Sequence, residues 1–305
     1  MKIKSHQLEQ LLDQGYVFLS QLINQQKCRE VLEYTKSTRN FGLDLFSDEA
    51  DFRVSPHYKG VNPVPGRNLL EKINLSFIEE NEVLHPLLTE LLGDDYYIVI
   101  KKVICGVPKE WIPNWVCSEI DNLPVANLGC FIKPEYRDIT YFRGIDFHQD
   151  IIDYKNCYSD FITLYIYLDE VSELDSPLFI LPESHTFGAT TFPHDLVPSE
   201  HAPNGWAYSD RRGHRKLLQC QTLTGFAGDV WFWHPCFLHG TQPTVESRSR
   251  ISLRYIIAKS ATASNTFLDH VNSSINAPLS LENTRDDISE EGKSIMRGNT
   301  INGKT

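Results

Sequence analysis

Residues 230–258 read VWFWHPCFLHGTQPTVESRSRISLRYIIA. Two runs in this stretch, VWFWH and RISLRYIIA, are dense in β-branched and aromatic residues, and turn-forming residues lie between them. The same texture recurs upstream in YYIVIKKVICGV (96–107), VANLGCFIK (125–133), FITLYIYLDEV (161–171) and PLFILP (177–182). No helical period intervenes for long and no internal repeat is found. Short strands at such intervals predict a barrel or sandwich rather than a parallel α/β sheet.

The first 95 residues differ. HQLEQLLDQ (6–14) predicts a short helix closed by Gly15, which can take the left-handed conformation that ends helices. YVFL (16–19) is strand-like. Asn24 predicts an N-cap for a helix through Lys36 with Cys28, Val31, Leu32 and Thr35 on one face. Residues 40–70 read as loop. NEVLHPLLTELL (81–92) has helical apolar spacing and ends at Gly93. Beyond about residue 260 the chain turns polar; it reads either as a mobile tail or as a helix laid on the barrel.

The chain has 305 residues, 41% of them hydrophobic, enough for a sizeable core without disulfides. A formal net charge of −11 argues against a broad basic face for nucleic acid. One local exception, Arg211, Arg212, His214, Arg215 and Lys216, reads as a solvated loop or as a clamp for an anionic substrate group. The seven cysteines are odd in number and show no metal spacing, which suits a reducing compartment. No signal-peptide run opens the sequence and no stretch is long and apolar enough to span a bilayer. The expectation is a cytoplasmic protein with a small-molecule substrate and neither nucleic-acid nor membrane partners; the oligomeric state is unreadable.

Within FHQD (147–150), His148 and Asp150 stand at i and i+2, which on an extended strand share a face. One imidazole and one carboxylate then converge on a point, supplying two of the three ligands of the 2-His-1-carboxylate triad that holds non-haem iron. Alone, such a pair is common, and its bland reading is a surface His beside an Asp. The third ligand is assigned to His239, which ends an apolar run and precedes a glycine. His234 is the rival. Five residues is an odd separation, so on a regular strand the two face opposite ways, and His234 is given a structural role.

A dicarboxylate cosubstrate such as 2-oxoglutarate calls for a guanidinium fork. Arg250, eleven residues after His239, can start the next antiparallel strand beside it. Ser252 shares its face, and Thr241 sits two residues from His239. Arg248 and Arg254 share the parity of Arg250 and compete for the role; otherwise they pair charges at the surface.

These motifs together resemble the phytanoyl-CoA dioxygenase family of Fe(II)/2-oxoglutarate oxygenases, which also includes ectoine hydroxylase, over roughly residues 8–258. LLDQGYVFLSQLINQQKCREVLEY is similar to the family's opening Gly-Tyr and helix, and LHPLLTELLGDDYYI to its helix-Gly-strand unit. YLDEV followed by SPLFILPESH resembles its "LD…NGPL…PGSH" segment, with Pro182, Ser184 and His185 at matching places and Tyr165 as the aromatic four residues before Asp169. GDVWFWHPCFLHG and RIS match the strand of the second histidine and the Arg-x-Ser cosubstrate motif. The usual Asn-Gly reads Asp175-Ser176 here and a usual Gly reads Glu183; local differences at turns are expected.

The resemblance implies a mainly β fold, a double-stranded β-helix or jelly roll with flanking N-terminal helices. It implies one oxygenase domain over 1–260, helical to about 95 with a jelly-roll core from about 96, then a polar extension over 261–305. The implied cofactors are Fe(II), 2-oxoglutarate as cosubstrate and dioxygen, with His148, Asp150 and His239 as metal and catalytic residues. Arg250, Ser252, Thr241, Asn127 and Tyr165 are implied at the cosubstrate. An amide near Asn127 assists cosubstrate binding in relatives; the bland reading is a strand-end amide. Thr163, Arg211 and Arg212 are candidates for substrate, although Thr163 and Tyr165 also read as barrel core with locally satisfied hydroxyls. Trp231 and Trp233 read as packing under the helices and Phe147 as core. The reaction implied is hydroxylation or desaturation of a small metabolite, with 2-oxoglutarate decarboxylated to succinate and carbon dioxide. Relatives that halogenate have Gly or Ala in place of the metal-binding Asp, whereas Asp150 is present here. The alternatives are a metal cupin enzyme independent of 2-oxoglutarate and a non-catalytic jelly-roll binding protein.

Overall fold

The computed structural model describes residues 5–54, 60–210, 212–243, 247–290 and 292–298. Helix α1 (Ser5–Gln14) stops at Gly15, whose φ of 83° is left-handed, and β1 (Tyr16–Leu19) follows. Helix α2 (Gln25–Ser37) starts where the Asn24 side chain accepts from the Lys27 N–H at 3.1 Å, satisfying one of the free amides of the first turn. Its buried face is Cys28, Val31, Leu32 and Thr35, as the spacing predicts.

Residues 40–70 are less irregular than their composition suggests, for helix α3 (Glu49–Val54) lies within them. It buries no residue of its own, so it leaves no apolar period to read. The helix expected over 81–92 is α5 (Leu84–Leu92), ending at Gly93 as predicted, and a further short helix, α4 (Ser76–Glu79), precedes it. The Asn81 side chain accepts from the N–H groups of Val83 and Leu84, and so opens α5 three residues later. Helix α6 (Asn114–Ile120) has no counterpart in the sequence reading.

The remaining strands are β2 (Tyr97–Gly106), β3 (Val125–Asn127), β4 (Thr140–His148), β5 (Phe161–Tyr167), β6 (Leu178–Ile180), β7 (Asp195–Pro198), β8 (Gly205–Ser209), β9 (Arg215–Gln219), β10 (Gln221–Leu223), β11 (Val230–Trp233), β12 (His239–Thr241) and β13 (Arg250–Ala258). The large sheet runs β1-β11-β5-β13-β2-β4-β12-β6-β10, with β3 on β4, and β7-β8-β9 form a separate sheet. All these pairs are antiparallel except β2 with β4. The fold is mainly β, a curled jelly roll with few helices, as expected.

Alternation along the strands sorts side chains between two faces. Ile162, Leu164, Ile166, Val230 and Phe232 belong to the large core under the helices. Tyr165, Tyr167, Trp231, Trp233, Phe142 and Phe237 fill the inside of the curl. This corrects the placement of the two tryptophans: they line the interior, and their neighbours Val230 and Phe232 are the ones beneath the helices. Phe147 faces away from the metal pair, as expected, and packs with Leu181, Phe187 and Tyr208 beneath the small sheet.

After the last strand, helix α7 (Phe267–Ser274) is held by a capping box in which Thr266 and Asp269 satisfy each other's backbone amides. It is tied to the barrel where Asn272 meets His234 at 2.8 Å and donates to the Ser159 carbonyl at 3.1 Å. Among the described residues no helix is long and apolar enough to cross a membrane, and all seven cysteines are free.

Candidate metal centre and cosubstrate site

Strands β4 and β12 pair so that His239 lies directly opposite His148, their ring centroids 4.2 Å apart. Strand β4 ends at His148; Gln149 stays extended and Asp150 opens a short 3-10 turn. The i, i+2 relation is therefore kept across the strand end. The His239 Nε2 and Asp150 Oδ1 are 3.6 Å apart. One potential ligand atom from each of His148, Asp150 and His239 lies within 4.8 Å of the others.

Both imidazoles are oriented by the chain itself. Their Nδ1–H groups donate to backbone carbonyls two residues back, His148 to Asp146 at 2.9 Å and His239 to Phe237 at 3.1 Å. That leaves each Nε2 with a lone pair for a metal. Burial, chiefly, pulls both imidazolium pKa values down, that of His239 to about 3, so the neutral ligand form prevails. Burial alone would raise the Asp150 pKa, but the Arg254 guanidinium, the two imidazoles and the Thr163 hydroxyl outweigh it and hold the carboxyl below its usual range.

Asp150 is positioned by groups the sequence reading did not assign to it. Its Oδ2 accepts from the Thr163 hydroxyl at 2.5 Å and from the Trp233 indole at 2.8 Å. The Trp233 ring also lies 4.7 Å from that of His239. Its Oδ1 is paired with Arg254. Thr163 is thus occupied with the carboxylate. The shared inward parity of Thr163 and Tyr165 was the available signal; nothing in sequence pointed from Trp233 to Asp150.

His234 has the structural place expected, but for a different reason. Residues 234–238 are a turn joining two separate strands, so parity along one strand does not apply. His234 accepts from the Cys236 N–H at 3.1 Å and donates to Asn272, fully buried.

Arg250 is buried at the start of β13, between the rings of Phe142 and Tyr165 at 5.3 and 5.5 Å. It donates to the Tyr165 hydroxyl and, at 3.3 Å, to Ser252. Its strand does not lie beside β12, as was expected: β13 sits between β5 and β2, and β2 and β4 separate it from β12. β12 and β13 are therefore not a hairpin pair.

Arg250 Nε and Nη2, the Thr241 hydroxyl and the Asn127 carbonyl oxygen are all buried without a hydrogen-bond partner among the described residues. Orphaned polar groups of this kind are costly, and a guanidinium with two free donors matches a carboxylate. A dicarboxylate cosubstrate and a ferrous ion fit the groups present.

Other expected site residues lie elsewhere. Arg211 is outside the described residues. Arg212 sits at the tip of the β8–β9 hairpin, donates to Asp210 at 2.9 Å and reaches the carbonyls of Phe187 and Asn276. Arg248 is paired with Asp175 at 2.5 Å near the surface. Ser184, within the PESH segment, accepts from the Leu238 N–H at 2.8 Å, which fixes the chain just before His239. Both departures from glycine, Ser176 (φ 58°) and Glu183 (φ 69°), keep the left-handed backbone that a glycine would adopt freely.

Fold and site together define a jelly-roll 2-oxoglutarate-dependent oxygenase. Residues 128–252 match the phytanoyl-CoA dioxygenase (PhyH) family. A probable alpha-ketoglutarate-dependent hypophosphite dioxygenase from Stutzerimonas stutzeri is 22% identical over 259 residues, 85% of this chain and 79% of that protein. Two solved structures share the fold. The epimerase SnoN, in complex with Fe3+, alpha-ketoglutarate and nogalamycin RO, has a TM-score of 0.50 at 12% identity over 98% of this chain and 96% of its own. EctD from S. alaskensis with bound Fe has a TM-score of 0.50 at 12% identity over 93% and 88%. The chain is a 2-oxoglutarate-dependent non-haem iron dioxygenase, with Fe(II), 2-oxoglutarate and dioxygen as its cofactors, and its residues 128–252 are similar to the phytanoyl-CoA dioxygenase family.

Proposed function

We propose that the protein hydroxylates a small metabolite, with His148, Asp150 and His239 as the iron ligands and Arg250 as the anchor for the distal carboxylate of 2-oxoglutarate. The observation that carries this reading is the convergence of two neutral imidazoles and one carboxylate, with orphaned buried donors on Arg250. Bound iron and cosubstrate supply the oxidising chemistry, with 2-oxoglutarate ending as succinate and carbon dioxide.

The chain's own residues bind and orient. Asp146 and Phe237 carbonyls fix the ligand tautomers, Thr163 and Trp233 steady Asp150, and Tyr165 and Ser252 hold Arg250 in place. Thr241 and Asn127 offer further polar contacts to the cosubstrate. The aromatic lining of Tyr165, Tyr167, Trp231 and Trp233 excludes water from this space. The carboxylate ligand Asp150 favours hydroxylation over halogenation. The free thiols accord with a cytoplasmic location.

The test is aerobic incubation with Fe(II), 2-oxoglutarate and a panel of candidate metabolites. Succinate should form in step with a product that gains one oxygen atom. A product that instead loses two hydrogens would replace hydroxylation by desaturation, and turnover without 2-oxoglutarate would replace the reading by a simpler metal cupin.

A further inference from the structure

Strand β13 places Arg254 directly opposite Lys102 on β2 and Tyr165 on β5. Directly opposed residues of an antiparallel pair share a face, so both cations point into the curl on the side of the metal triad. Lys102 is 3% exposed and the Arg254 side chain 16%. Like charges set opposite each other are unfavourable, and buried charge without a counter-charge more so.

Their partners are few. Arg254 is paired with Asp150 Oδ1, the carboxylate oxygen that also faces His239. Lys102 donates to the neutral Asn62 side chain at 2.6 Å, and among the described residues no carboxylate lies within ion-pairing distance of it. Asp153 acts on both cations only through space; it is exposed and lies 3.6 Å from Arg285. On the reading given under Proposed function, the formal charges of a ferrous ion, Asp150, a dicarboxylate and Arg250 cancel. Arg254 and Lys102 then remain beside the metal with no anion of their own; burial, and then the Arg254 charge, hold the Lys102 ammonium down to about 7, so an arriving anion would favour its charged form.

We propose that Arg254 and Lys102 form the cradle for an oxyanion group of the primary substrate, and that the substrate is therefore a small acid, a carboxylate or a phosphonate. Arg254 supplies the planar fork and Lys102 a point charge, so the group is gripped from two adjacent strands. The guanidinium that touches Asp150 thereby ties substrate position to the metal ligand. This inference rests on the oxygenase reading for its charge balance, while the paired cations themselves are independent of it.

The test uses the full chain, anaerobic, with Fe(II) and saturating 2-oxoglutarate, so that Arg250 is already engaged. The charge-transfer band of the complex reads the oxygenase assembly. Calorimetric titration with propionate, methylphosphonate and neutral propionamide reads the cradle. The two anions should bind saturably and propionamide should not; the tighter anion identifies the acid class. Lys102→Met should keep the band, weaken the anions by about tenfold or more, and melt higher than the parent when no anion is present, because a buried like-charge contact is gone. A normal band with no preference for anions over propionamide would overturn the cradle, as would unchanged anion affinity in Lys102→Met. Anion binding without a band would keep the cradle and remove the oxygenase reading; loss of both would remove both.

Discussion

Trp233 donates its indole N–H to Asp150 Oδ2 at 2.8 Å while its ring lies 4.7 Å from that of His239. One side chain thus braces two of the three candidate ligands. Groups that orient ligands from behind typically change metal affinity about ten- to hundredfold when removed. Trp233→Phe keeps most of the ring packing and deletes the donor. Competition titration with Fe(II) should show a loss of that size, and Thr163→Val should do the same through its own bond to Oδ2. Unaltered affinity in both variants would mean the two donors only pack the barrel.

Gly15 carries two constraints at once. Its φ of 83° is left-handed, and a Cβ there would sit 2.4 Å from His185 Nδ1 and 2.8 Å from a Phe237 ring carbon. His185 cannot yield easily, because its Nε2–H donates to the Leu12 carbonyl at 3.0 Å and ties α1 to the barrel. Gly15→Ala should cost about 2 kcal/mol or more, from backbone strain and overpacking together. Thermal melting should show a drop of several degrees, and an unshifted melting temperature would show that α1 docks loosely.

The elements that were legible in sequence are those whose signal is local. The α1 stop at Gly15, the Asn24 cap and the buried face of α2 each follow from a few neighbouring residues. The convergence of His148, Asp150 and His239 was readable because a two-residue spacing fixes a shared face whatever the partner strand. Strand order was not readable. Nothing between Thr241 and Arg250 says that β13 pairs with β5 and β2 rather than with β12, so Arg250 was assigned to the wrong neighbour. The same gap hid the roles of Trp233 and Arg254, which reach Asp150 only through pairings among β5, β11 and β13. Short helices such as α3 and α6 carry too few apolar positions to show a period.

Acid should weaken the fold through its buried neutral histidines. Burial is the main cause that pulls His234 down to about 3; nearby His185 adds to it and the bond to Asn272 partly offsets it. Above its ordinary value of 6.5 neither state is protonated, so the fold pays nothing. As pH falls from there toward 3 the unfolded chain takes up a proton that the folded one refuses, and stability declines through that window. The loss should reach a few kcal/mol. His234→Gln should be less stable at neutral pH but lose less on acidification, when melts at about pH 7 and about pH 5 are compared. Parallel losses in parent and variant would place the acid sensitivity elsewhere.

Three side chains and one guanidinium together would assemble the iron–cosubstrate complex. Anaerobic addition of Fe(II) and 2-oxoglutarate to the purified protein, followed by visible absorption, tests that most directly. A metal-to-ligand charge-transfer band should appear, vanish in Asp150→Ala and weaken in Arg250→Ala. No band in the unaltered protein, or a band of full strength in Asp150→Ala, would contradict it.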